Sequence, residues 1–467
     1  MGRLGGERWL ALAGALVLSG CAVGPDYVRP AAIVPAQYKE VAGWKLGAPR
    51  DDFAKGDWWK LFHDPLLNTL EAQVAVSNQT LKADEANYRE AQALIAEARA
   101  QLFPTLSYNP SLTRATSSSG GVGTVLSSEI NGSWTIDVWG KVRRTIESDV
   151  AGAQASAADL ANATLSMQST LATAYFELRE TDSLYDLLVD TVGQYKRSLD
   201  ITQNQYKAGT SARSDVITAQ ALVLTAQAQE INTGVARAQY EHAIAVLMGR
   251  PPSGLSIPHG KLAQNVPVIP LHLPSTLLER RPDIAAAERA MQQQNALIGV
   301  ATAAYYPDIS LSGAFGYVGN PFSSALAATN PMWSVGLSAA QTLFDAGLTA
   351  AQVEAARDTY QASVATYRQT VLTAFQQVED QLAAIPILSR EDRVQIEAVV
   401  AARQAVQIAI NEYQAGTQNF TTVVTAEATA LSDEEALLTT QEQRLLAAVS
   451  LIVALGGGWD ATELPPA

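Results

Sequence analysis

The chain has 467 residues, a formal net charge of −14 and one cysteine. A lone cysteine excludes an intramolecular disulfide framework and a cysteine-rich metal site, and so acidic a chain is a poor nucleic-acid binder. No run of about 18 apolar residues follows Cys21, so any membrane crossing by the mature chain must use β-strands.

Arg3 and Arg8 flank the start of an apolar, alanine-rich run from Trp9 to Leu18, and Ser19 and Gly20 stand just before Cys21. That is the layout of a secretory signal peptide over 1–20, too short to span a bilayer as a helix. Leu18-Ser19-Gly20-Cys21 resembles a bacterial lipobox. The resemblance implies cleavage before Cys21, diacylglycerol on its thiol and an N-acyl chain on the new amine. Two acyl chains already anchor a protein stably. Ala22, in place of an aspartate, implies delivery to the outer membrane. Residues 21–57 would then form a lipidated N-terminal segment. The alternative is a plain secreted protein with a buried free cysteine.

The spacing next predicts a helix over 66–102, stopped by Pro104. Strands over 104–115 and 129–139 flank the polar turn SSSGGVGTVLSS, and Ile130, Gly132, Trp134, Ile136 and Val138 alternate along the second. Some ten residues is the length of a tilted membrane strand; a soluble hairpin over a core is the competing reading. From Gly140 to Gly209, apolar and small residues recur in steps of four and three. The seam is Ile146, Val150, Ala153, Ala157, Leu160, Thr164, Met167, Leu171, Ala174 and Leu178. Such a helix would be roughly 100 Å long, beyond any globular domain. Gly209 marks a turn, and a return helix follows.

A second copy of this unit is visible. QYKAGTSARSDVITAQA (205–221) matches EYQAGTQNFTTVVTAEA (412–428), so that Gly209 and Gly416 lie 207 apart, as do Gly140 and Gly347. The second copy predicts a helix over 283–304, strands over 307–318 and 331–344, and a long helix with the seam Val353, Ala356, Tyr360, Val364, Tyr367, Val371, Ala374 and Val378. Pro386 is expected to kink or break that helix. The repeats span 58–250 and 272–459, the Pro/Gly-rich stretch 251–271 links them, and 460–467 is a tail. Two long copies are a duplicated domain rather than a solenoid. The class is mainly α with a membrane β part, built on a duplicated helix–β-hairpin–long-helix–helix unit.

Four strands per chain cannot close a barrel, and an open edge cannot sit in lipid. Two chains would give eight strands and a bore filled by side chains. Three give twelve strands with a lumen, above twelve long helices. CAVGPDYVRP (21–30), DWWKLFHDPLLNTLEAQ (57–73), LPSTLLERRPDIAAAER (273–289), TLFDAG (342–347) and VALGGGW (453–459) together resemble outer-membrane factors of the TolC superfamily, in the lipoprotein (NodT-type) branch that serves RND efflux pumps. The resemblance implies a homotrimer with a 12-stranded outer-membrane β-barrel on a 12-helix periplasmic α-barrel. It further implies a periplasmic adaptor, an inner-membrane RND transporter, small-molecule export, no catalysis and no cofactor beyond the lipid on Cys21.

The resemblance also puts the gate at the turns after Gly209 and Gly416. Thr421 and Thr425 stand where family members often carry a leucine and an aspartate, so a ring of threonines would be wetter and less repulsive. Phe420 could supply a steric ring. Arg213 and Asp215 could pair, Asp215 could ring the tip in three copies, or the helix start could be capped by Ser214 or Asp215. Trp58 and Trp59 read as packing for the N-terminal segment, and ERRPDI (279–284) as a helix start with Pro282 in the first turn. His63, His242, His259 and His272 are scattered without metal-ligand spacing, and GGVGTVLSS (120–128) lacks the Gly-Lys-Ser/Thr ending of a P-loop. Type I protein secretion and a periplasmic coiled-coil adaptor or scaffold are the competing functions.

Overall fold

The computed structural model describes residues 22–32, 34–40, 57–116, 122–269, 277–319 and 331–465. The leader, Cys21 and His272 lie outside them. Seven helices and four strands carry the architecture. Copy one is α1 (Pro65–Ser77), α2 (Gln79–Ala100), β1 (Thr105–Thr116), β2 (Val122–Ile136), α3 (Lys141–Lys207) and α4 (Arg213–Leu247). Copy two is α5 (Pro282–Ala303), β3 (Asp308–Gly319), β4 (Pro331–Ala340), α6 (Leu348–Gln414) and α7 (Phe420–Ala454). No helix among the described residues is long and apolar enough to cross a membrane.

The single helix expected over 66–102 is two helices. Asn78 sits between them in an extended conformation, φ −62° and ψ 126°, and its side-chain oxygen accepts from Thr80 N and Leu81 N. A side chain that satisfies two orphan amides makes a new helix start cheaper than continuation. Asp64 does the same for α1 through Leu66 N and Leu67 N, with Pro65 at the first position. Pro282 opens α5 likewise.

The four strands form one antiparallel sheet in the order β1-β2-β3-β4, so β2 and β3 join the two copies. β2 starts earlier than expected. Residues 122–128, read as turn, pair with 110–116. β2 also stops earlier, at Ile136, because the Asp137 carboxylate turns to the start of α3 and accepts from Val142 N and Arg143 N. β4 ends at Ala340, where Asp345 takes the same part for Gly347 N and Thr349 N.

Residues opposite each other in a sheet share a face. One face carries Leu106, Tyr108 and Leu112, then Leu126, Ile130 and Trp134, then Leu311 and Phe315, then Trp333, Val335 and Leu337. The other carries Ser107, Asn109 and Ser111, then Ser127, Asn131 and Ser133, then Ser310 and Ser312, then Ser334 and Ser338. The first face stands in the open, with Leu106 at 77% and Val335 at 72% exposure. An apolar outer face against a polar inner one is what a membrane barrel requires and a soluble hairpin would avoid.

Each long helix has 67 residues and each return helix 35. α3 and α6 therefore run the full height, about 100 Å, while the return helices cover half. α2 and α5 complete the upper half, packing beside α3 and between α3 and α6 respectively. In the lower half α3 lies between α4 and α7, and α6 packs on α7. The half-helices meet end to end at two matching joints. Asn78 Nδ2 donates to Leu247 O at 2.8 Å, and Arg281 Nη1 donates to Ala454 O at 2.9 Å. Just beyond, a Cβ on Gly249 would collide with Ser77 O, and one on Gly456 with Arg280 O. The carbonyls that end the return helices are thus capped from the neighbouring helix start, 207 residues apart in the two copies.

The copy-two seam is as expected. Val353, Val364, Tyr367, Val371, Ala374 and Val378 are buried. The copy-one seam is only part of what α3 buries, since Ala151, Ala158, Leu165, Ala172, Tyr175 and Phe176 are also inside. α2, α5 and the N-terminal residues cover α3 from several sides. Pro386 neither breaks α6 nor ends it. Its ring is exposed and Leu382 and Val378 before it are buried, so packing along the helix outweighs the loss of one amide bond, about 3 kcal/mol.

Trp58 and Trp59 pack as expected. They lie in a short 3-10 turn, Trp58–Phe62, at 1% and 4% exposure, and Phe62 meets Phe176 of α3 at 5.0 Å. Glu71 on α1 joins this core fully buried, and desolvation pushes its carboxyl up to about 9, so it is neutral at pH 7.

Candidate functional site

The two turns at the far end of the helical layer are built alike. α3 ends at Lys207 and α6 at Gln414, and Gly209 and Gly416 follow with φ of 81° and 74°. Nothing crowds either glycine, so the left-handed backbone alone selects the residue. Thr210 N donates to Gln205 O and Thr417 N to Glu412 O, closing the same turn in both copies.

The return helices then start differently. α4 starts at Arg213 with Ala212 at the cap position and no side-chain cap, so neither Ser214 nor Asp215 serves as the expected cap. Arg213 and Asp215 form no ion pair. Asp215 accepts instead from Ser211 Oγ at 2.9 Å. α7 starts at Phe420, capped by Asn419, which accepts from Thr422 N.

Phe420 is not free to ring a pore. It is 3% exposed, its ring lies 5.2 Å from that of Tyr413, and both pack with Ala219, Ala409 and Val423. Thr421 and Thr425 are exposed on one face of α7. Thr425 Oγ1 donates to Thr421 O at 3.0 Å, and Thr429 Oγ1 to Thr425 O at 2.9 Å. The hydroxyls of Thr425 and Thr429 thus turn back to carbonyls of their own helix.

The residues that join the two turns were not anticipated. Tyr413 OH and Ser211 Oγ are hydrogen-bonded at 2.9 Å, and Gln205 Nε2 donates to Tyr413 O at 3.1 Å. The repeat paired Tyr206 with Tyr413, yet Tyr206 is 46% exposed and Tyr413 6%. One position of the repeat thus faces into the chain and its twin faces out.

Above the turns, a groove of about 580 Å3 lies between α3, α6 and α7, lined by Arg197, Gln194, Arg403, Gln407, Glu427 and Glu434 among others. Glu427 is 3% exposed. One carboxylate oxygen accepts from Ser198 Oγ and the other has no partner among the described residues. Burial pushes this carboxyl up to about 7. A folded value above the unfolded 4.5 means the native state binds the extra proton, so stability falls as pH rises from about 4.5 through 7. Glu427→Gln is expected to raise stability at pH 8 by about 3 kcal/mol and to leave it unchanged at pH 4. Urea unfolding at the two pH values measures this, and equal effects at both would refute it.

A second buried cluster fixes the linker. Asp182 on α3 is fully buried and pairs with Arg179 at 3.0 Å and Arg237 of α4 at 2.7 Å. It also accepts from Gly260 N at 3.0 Å. Arg179 and Arg237 donate in turn to Pro258 O and Ile257 O. His259, one of the scattered histidines, lies between Asp182 and Asp186 at 3.2 and 3.0 Å.

Comparison with known proteins matches this architecture along nearly its whole length. The toluene efflux pump outer membrane protein TtgC of Pseudomonas putida is 29% identical over 455 residues, covering 95% of this chain and 94% of that protein. The cation efflux system protein CusC of Escherichia coli is 28% identical over 456 residues, covering 95% and 97%. Among solved structures, the outer-membrane channel OprN superposes with a TM-score of 0.88 at 29% identity over 94% of this chain and 100% of that one. A CusC structure gives 0.85 at 25% identity over 93% and 100%. The profile described as outer membrane efflux protein matches residues 70–250 and 273–457. The chain belongs to the outer membrane efflux protein family, and it is a non-enzymatic efflux conduit that spans the outer membrane and extends into the periplasm.

Proposed function

We propose that three copies of the chain close into one exit duct, a 12-stranded barrel on a 12-helix tube, which takes small molecules from a periplasmic adaptor and an inner-membrane RND transporter to the exterior. The observation that carries this is a pair of apolar seams at seven-residue steps that no described residue covers. On α4, Ile217, Leu224 and Ile231 are 56%, 57% and 76% exposed, with Ala221 and Ala228 between them. On α6, Ile387, Val394 and Ile408 are 49%, 66% and 56% exposed, and Ala401 fills the missing step. The α4 seam lies roughly opposite the buried face of its helix, Ala219, Val223 and Ala226, and the α6 seam lies about a third of a turn from Val399, Ala402 and Val406.

A helix with apolar stripes on two sides wants two neighbours. α4 and α6 are the outer members of the lower helical layer, as β1 and β4 are of the sheet. Joining unlike edges head to tail makes a ring. Eight strands would fill their own bore, whereas twelve leave a lumen. Relatives of similar identity are named for toluene and for cations, which fits a general conduit whose cargo is chosen elsewhere in the pump. The tip turns, with Arg213, Asp215, Thr421 and Thr425 exposed or half-exposed, are the adaptor-facing end and the gate. Images of detergent-purified particles test the assembly: a hollow threefold particle is expected, and a compact monomer would end the proposal.

We further propose that Cys21 carries diacylglycerol and an N-acyl chain. The position of Val23, two residues on, supports this reading. Val23 N donates to Trp139 O at 3.0 Å, at the base of the sheet. The segment then descends along the helices through Asp26 with Arg144, Arg29 with Glu288, and the amides of Lys39 and Glu40 on the Glu379 carboxylate. The lipid would tether a strap that is already docked. Cys21→Ser should therefore lower the amount delivered to the outer membrane severalfold and leave single-channel conductance unchanged. A variant delivered in full that conducts nothing would contradict this.

A further inference from the structure

Strands and hairpin loops over 105–136 and 308–340 hold three charged residues: Arg114, Glu129 and Asp308. The sheet register sorts them. Arg114 pairs with Thr124, in step with Leu112 and Leu126, on the apolar face. Glu129 pairs with Asn109 and Gly316, and Asp308 with Ala340, on the serine-rich face. The face that the proposed assembly turns to the lumen therefore carries carboxylates and no cation along its described strands.

Glu129 is also positioned. Ser127 Oγ donates to its Oε1 at 2.8 Å. Its side chain lies over its cross-strand partner Gly316, where an added Cβ would come within 2.8 Å of Glu129 Cγ. The glycine opens a notch where this side chain crosses to β3.

We propose that the three Glu129 carboxylates of the assembled barrel form a charge-selecting ring that favours cationic solutes over anionic ones on the way out. The ring rests on the threefold assembly proposed above. Twelve strands about 4.8 Å apart and tilted about 40° close at a radius of about 12 Å. The Debye length at physiological ionic strength is about 8 Å. Carboxylates reaching inward from that wall leave little of the cross-section screened from them. Asp308 places a second ring of the same sign at the periplasmic end of the barrel. The overall acidity of the chain left open where its charges stand; the register assigns these to the lumen.

The test reads the potential inside the barrel and bypasses the tip. Ser107 lies on the polar face two residues from Asn109, the β1 partner of Glu129. Ser107→Cys adds a barrel thiol to a chain whose only other cysteine is Cys21. Intact cells are treated with a trimethylammonium or a sulfonate methanethiosulfonate reagent, with the parent chain as blank. The cationic reagent should react faster, and Glu129→Gln should lower the cation-to-anion rate ratio about threefold. Glu129→Lys should invert it. A ratio unmoved by either change overturns the proposal, as does a Ser107→Cys thiol that neither reagent reaches. A purified particle of monomer mass overturns the threefold assembly itself, and light scattering reads that separately.

Discussion

Leu224→Lys combined with Ile231→Lys should yield a chain that keeps its helices and does not assemble. Each large aliphatic side chain moved from water into an interface contributes about 2 kcal/mol, and a closed ring of three copies would bury six from these two positions. Two lysines per copy would also bring six unpaired charges into the seams. Neither side chain contributes to the buried face of α4, so the fold within one chain should survive. The expected outcome is a detergent-solubilised particle of one-third the normal mass with unchanged helical circular dichroism. A particle of full mass would show that α4 does not face a neighbour.

Asp182→Ala should cost the chain more than any change at its surface. Asp182 neutralises Arg179 and Arg237 from within the core, and it binds the linker amide at Gly260. Removing one partner of a buried ion pair leaves uncompensated charge, which costs about 3–5 kcal/mol. The loss should be local first. Residues 251–269 are tied to α3 through Asp182, Ser183 and Arg179, so protease should cut there before the helices unfold. Asp182→Asn keeps an acceptor for Gly260 N and should fall between wild type and Asp182→Ala. Equal protease resistance in all three would refute the role.

The duplication and its order of elements were legible because the turns force their residues. A left-handed backbone at Gly209 and Gly416 leaves glycine almost no substitute, so both copies keep it in step. The strands could be read because lipid on one side and solvent on the other impose a period of two, seen at Ile130 and Trp134 and again at Leu311 and Phe315. The break at Asn78 was not legible. An asparagine inside a helical pattern looks ordinary until its side chain is seen holding two amides. Of the kink or break expected at Pro386 the break does not occur, since a proline is a local signal and the packing of α6 is not local. The tip was the least readable part. Phe420 beside two threonines has the composition of a constriction, but Tyr413 and Ala219, from two other helices, turn it inward. Ser211 and Tyr413 lie 202 residues apart, and no periodicity in either helix announces their contact.

The paired joints at Gly249 and Gly456 have a mechanical meaning. Among the described helices, only α3 and α6 pass that level without interruption, while α4 and α7 end there, each held to the helix above by one side-chain hydrogen bond to its last carbonyls. Each return helix is covalently continuous with its long partner only at the tip turn. In the assembly proposed above, a return helix would therefore move about its long partner by breaking that one hydrogen bond and the packing around Met248 or Ile452, with no helix bent and no strand displaced. If the tip turns are the gate of the duct proposed above, such a division would let the duct widen below while its membrane seal stays still.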